Sequence, residues 1–115
     1  MKNRTGAWEW YAAGLLAAGG LALLLTGTPA VALPSPTIGI KDFKYAPPVL
    51  TVPVGTTVTW VNRDEEPHTV TSTTGAFGSA GLVNEDTFAQ RFTTPGTYQY
   101  ACALHPHMKA TVIVR

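Results

Sequence analysis

Side chains able to bind a metal crowd into one short string near the end of the chain: Cys102-Ala103-Leu104-His105-Pro106-His107-Met108. Cys102 is the only cysteine, and the only other methionine is Met1. The remaining histidine, His68, stands far earlier, directly after Pro67. A thiolate, imidazoles and a thioether make a soft nitrogen-plus-sulfur donor set, which suits copper. A plane of two His and one Cys with a weak axial Met describes an electron-transfer copper site. The spacing is mechanically sensible. Two intervening residues let Cys102 and His105 turn towards one centre, and two more bring Met108 to another side of it. His68, delivered from a separate strand, closes the plane. One cysteine excludes an intramolecular disulfide and any C-x-x-C redox or zinc-ribbon site. It also excludes a binuclear copper centre, which needs two. Zinc is disfavoured by a Met ligand. A Cys–His hydrolase needs a base and an oxyanion hole in a cleft, and a His three residues after the Cys in a helix-free domain supplies neither.

The elements that must position these donors read as strands. Residues 33–115 hold 14 Thr and 9 Val, whose branched Cβ atoms favour a pleated surface. No stretch there repeats apolar residues at helical spacing over three turns. Strands are expected at residues 37–43, 50–54, 56–62, 68–72, 88–92, 97–102 and 109–114, with Pro53 at an edge or bulge position. Residues 73–86 read as an irregular, Gly-rich segment, and Asp64-Glu65-Glu66 as a solvated turn. Trp60, Phe88, Phe92, Tyr98 and Tyr100 are the expected core. About seven or eight strands and no helix predict an all-β fold, a Greek-key β-sandwich or small barrel. A domain of ~80 residues is marginal on burial alone, so a bound metal would help hold it.

The residues also carry a family resemblance. Phe43-Lys44-Tyr45-Ala46-Pro47, the run Val54 to Asn62 with its V-x-W-x-N, Pro67-His68-Thr69-Val70, and Pro95-Gly96-Thr97-Tyr98-Gln99-Tyr100-x-Cys102-x-x-His105-Pro106-x-Met108 together resemble the cupredoxins. The short C-x-x-H-x-x-M loop is the amicyanin-like variant within a group that includes plastocyanin and pseudoazurin. The match covers most of residues 38–115. It implies one type 1 copper, with His68, Cys102 and His105 as equatorial ligands and Met108 as the axial one. Thr69, Asn62 and Pro106 would surround them, and the Thr69 amide would donate a hydrogen bond to the Cys102 sulfur. Relatives usually carry Asn or Ser where Thr69 stands, so the resemblance leaves the side-chain part of that loop-to-loop bond open. Electrons would enter and leave through the exposed edge of His105, with Leu104, Pro106 and His107 around it as a docking rim. His107, where relatives often have an apolar residue, is expected at the surface beside the site rather than on the metal.

The chain begins differently. Lys2 and Arg4 precede an uncharged Ala, Leu and Gly stretch from Ala12 to Leu25, and Ala30-Val31-Ala32 is a small-x-small site. Residues 1–32 therefore read as a secretory signal, or as an uncleaved membrane anchor over residues 7–25. Either way residues 33–115, the copper-binding domain, would lie outside the cytoplasmic membrane, in the periplasm or its equivalent. A net charge of +1 offers nothing to nucleic acid and only weak steering to a protein partner. The expectation is a monomeric one-electron carrier, not an enzyme, meeting redox partner proteins through a transient contact. The alternative is a module that handles or delivers copper with the same ligands.

Overall fold

A computed structural model describes residues 19–20, 22–28 and 35–115. The chain divides into two units, Met1–Ala30 and Val31–Arg115. The charged start expected of a signal or anchor, its Ala30–Ala32 motif and most of its apolar stretch lie outside the described residues. Among the described residues no helix is long and apolar enough to cross a membrane.

In the second unit the described chain forms eight strands. These are β1 (Thr37–Lys41), β2 (Lys44–Ala46), β3 (Val49–Val52), β4 (Thr57–Asn62), β5 (Thr71–Ser72), β6 (Thr87–Arg91), β7 (Gly96–Ala101) and β8 (Lys109–Val114). They make two sheets, ordered β2-β1-β4-β6 and β3-β8-β7-β5. β1 runs parallel to β4 and β3 parallel to β8, while the other pairs are antiparallel. The chain crosses between the sheets at β3, β4, β5, β6 and β7, which makes a Greek-key sandwich rather than a meander.

Alternation explains why the sheets face each other. Ile38 and Ile40 on β1, Val58 and Trp60 on β4, and Ala110, Val112 and Val114 on β8 all turn inward and are buried. Trp60 is fully buried at the centre, with Phe77, Phe88, Phe92 and Tyr100 rings 5.5–6.4 Å from it. Of the expected aromatic core, Phe88 and Tyr98 are only half-buried at its margin.

Three expected strands change shape, each for a local reason. The alternating run 37–43 stops at Lys41, because Asp42 and Phe43 adopt positive φ (51° and 58°). A two-residue turn with both centres left-handed matches strand twist, so β2 folds straight back on β1, with Lys41 opposite Lys44. The run 50–54 begins a residue earlier and ends at Val52, since Pro53 has no N–H for the ladder. Of residues 68–72 only Thr71–Ser72 pair as a strand, and His68 keeps a single antiparallel bridge to Leu82.

Candidate metal centre

One end of the sandwich gathers three loops. The first runs from β4 to β5, and Asn62 shapes it. Its buried amide donates to Glu66 O (2.9 Å) and Leu82 O (2.7 Å), and its Oδ1 accepts from the Asp64 amide (2.9 Å). That folds residues 62–67 over Asn62 and delivers His68 to the interior, where it is fully buried. The second loop joins β7 to β8. It is closed by the Cys102 amide donating to Met108 O (3.1 Å) and the Met108 amide donating to His105 O (2.9 Å). The third is the Asp42–Phe43 turn.

His68, Cys102 and His105 come together, with one ligand atom of each lying within 4.8 Å of the others. Cys102 Sγ is 3.9 Å from His68 Nδ1 and 3.6 Å from His105 Nδ1. Bonds of about 2.0 Å to nitrogen and about 2.3 Å to sulfur, 120° apart, would set N and S about 3.7 Å apart. The three donors therefore fit around one first-row metal ion with little movement. Their softness selects copper over calcium or magnesium. Met108 is buried next to β8, and Cys102 is buried and free. His105 is half-buried, so one donor ring reaches the surface.

The surroundings hold the donors in place. The Thr69 amide donates to Cys102 Sγ at 3.3 Å. The Thr69 hydroxyl accepts from the Ala103 amide at 2.8 Å, so threonine makes its own side-chain bond between the two ligand loops. Tyr45 Oη donates to Thr69 O at 2.6 Å and fastens the same loop from below. Around His105, Leu104, Pro106 and His107 are exposed. The His107 ring sits 6.4 Å from the His105 ring and outside the donor group.

Two residues of the site were not legible in the sequence. Asp64, expected in a solvated turn, is buried and accepts a hydrogen bond from His68 Nε2 at 2.8 Å. With Nε2 carrying the proton, His68 Nδ1 keeps its lone pair for the centre. The same carboxylate accepts from the Asp42 amide (2.8 Å) and the Phe43 amide (3.0 Å). Burial alone would raise its pKa, but those two amides and His68 outweigh it and hold the carboxyl below the ordinary value. Phe43 lies edge-on to both histidine rings, 5.1 Å from His68 and 4.9 Å from His105. Nothing in Asp64-Glu65-Glu66 marks the first acid from its neighbours, except that it stands one i,i+4 step before His68.

Residues 14–114 match the cupredoxin-like domain family. The chain belongs to that family. This cupredoxin resembles amicyanin: it is 42% identical over 82 residues to amicyanin of Paracoccus denitrificans, covering 67% of this chain. The aligned part is 63% of that relative's length. A solved amicyanin variant described as Cu(I) superposes with a TM-score of 0.68 at 35% identity, over 75% of this chain and 87% of the other. A purple cupredoxin from Nitrosopumilus maritimus superposes with a TM-score of 0.66 at 35% identity, over 70% of this chain and all of the other. The all-β sandwich of this cupredoxin is therefore the family fold.

Proposed function

We propose that this cupredoxin is a small one-electron carrier holding a single copper ion. His68, Cys102 and His105 would lie in the plane and Met108 on the axis. The observation that carries the reading is the triad itself: a buried thiol and two imidazoles within 4.8 Å of one another, one of them half-buried at the surface. When bound, copper supplies a one-electron Cu(I)/Cu(II) couple. The chain's own part is to keep the donors still. Cys102 is held by the Thr69 amide, His68 by Asp64, and the closing loop by its two backbone bonds. Donors that move little between oxidation states favour fast transfer.

His105 supplies the edge through which electrons would pass, and Leu104 (56% exposed) with Pro106 and His107 the surface around it. A small apolar patch on a chain of net charge +1 suits brief contact with redox proteins, the chain remaining a monomer between encounters. The likeness to amicyanin supports a carrier rather than an enzyme. The signal or anchor pattern of residues 1–32 and the likeness to amicyanin support a site of action outside the cytoplasmic membrane.

The test is spectroscopic. Copper-loaded protein should show an intense visible thiolate-to-copper band with small hyperfine splitting, and Cys102→Ser should abolish it. A colourless Cu(II) form would overturn the reading.

A further inference from the structure

Phe43 is placed against its own preferences. Its φ of 58° lies in the left-handed region, which a side chain with a Cβ disfavours. The residue is also 38% exposed. Both oddities serve one contact. The ring meets His68 at 84° and His105 at 85°, and the two histidine rings are 5.1 Å apart. The three rings thus form a triangle with sides near 5 Å. His68 has no exposed surface of its own, so at this flank the outer residue of the triangle is Phe43.

The turn that carries Phe43 is pinned. Lys41 pairs with Lys44 across it, and the buried Asp64 carboxylate accepts from the amides of both central residues. Because that carboxylate also holds His68 Nε2, the turn and the histidine ring share one anchor. The backbone that carries the phenyl ring cannot shift without breaking bonds that fix the donor beneath it.

We propose that Phe43 is a shield over one flank of the donor set, excluding water and small exogenous ligands from His68, from the covered face of His105 and from the Cys102 thiol. The copper-bound form of the proposal rests on the reading above; its metal-free form does not. The edge-on contact with two rings at once is what a large flat side chain achieves. Leucine would keep bulk there but cover less, and alanine would leave the flank open.

Two experiments on the full chain test it. In the Cu(II)-loaded form, azide is titrated against the visible band and the EPR spectrum. The native protein should stay unchanged, Phe43→Ala should show a saturable shift with at least about tenfold tighter azide binding, and Phe43→Leu should fall between. In the metal-free form, the Cys102 thiol should react with an aryl disulfide reagent at least about tenfold faster in Phe43→Ala than in the native protein. Equal azide responses in the three proteins, or equal thiol rates in the metal-free pair, would overturn the shield. A native protein with no thiolate band removes the copper reading alone, and the thiol rates then decide.

Discussion

Replacing Asp64 measures how much of the site one carboxylate holds. Its Oδ2 accepts from the Phe43 amide and His68 Nε2, and its Oδ1 from the Asp42 amide. A hydrogen bond to a charged group is worth roughly 1.5–3 kcal/mol. The two amides are part-buried, so water can replace the carboxylate there at low cost. His68 is fully buried, and its Nε2 would be orphaned. Asp64→Ala should therefore cost about 2–3 kcal/mol, the upper part of the range for leaving a buried donor without its partner. Lys41, 3.8 Å away but 60% exposed, adds little. In Asp64→Asn the remaining oxygen can keep the Phe43 and His68 bonds, and the amide faces a donor at Asp42. That variant should lose only about 1–2 kcal/mol. A domain of this size is stable by about 4–12 kcal/mol, so urea unfolding of the metal-free protein at neutral pH, followed by circular dichroism, resolves the difference. The pH dependence has a definite sign. The Asp64 pKa is lowered in the fold, so its contribution is complete above the unfolded carboxylate value of about 3.9. It fades as pH falls through the lower folded value, and the gap between native protein and Asp64→Asn should narrow there. Equal losses for Ala and Asn, or less than about 0.5 kcal/mol for both, would refute the reasoning.

The other expectations are shorter. Thr69→Val removes the acceptor for the Ala103 amide but leaves the Thr69 amide on Cys102 Sγ. It should cost about 1 kcal/mol in thermal unfolding while the visible band survives, and loss of the band would contradict this division of labour. Burial raises the pKa of Tyr45 and pushes Tyr100 up to about 12. For Tyr100 the indole N–H of Trp60 is near enough to offset part of that rise, yet neither it nor the phenol forms a hydrogen bond. Both phenols should stay protonated in the folded domain, so stability is intact below about pH 10 and falls as pH rises towards 12. Tyr100 alone accounts for roughly 3 kcal/mol of that fall. Phenolate absorbance from these two residues ahead of the loss of sheet signal would contradict it. Copper loading should raise the unfolding temperature in proportion to the logarithm of free metal over its dissociation constant, and an unchanged temperature in saturating copper would show that the metal binds elsewhere or not in the native state.

Residue types and spacing by themselves pointed to His68, Cys102 and His105 as a candidate metal group, to the all-β class and to the alternation that buries Ile38, Trp60 and Val112. These are properties of chemistry and of a two-residue period, which a string of letters carries whole. The Lys109–Val114 strand was legible to the residue for that reason. Tertiary structure decided what depends on neighbours distant in sequence. The acidic triplet could be read only as polar. Packing against Asn62 and the Asp42–Phe43 turn is what sinks Asp64 while leaving Glu65 and Glu66 in solvent. Phe43 continued an alternating run on paper, and only the carboxylate beneath it stabilises the left-handed turn that sends β2 back on β1. His68 looked like the start of a strand, but its partners are a loop residue, Leu82, and that same carboxylate. The donors could be named from their own chemistry. How they are held could not, because a hydrogen bond between residues 22 positions apart, such as that from Asp42 to Asp64, exists only once the chain has folded.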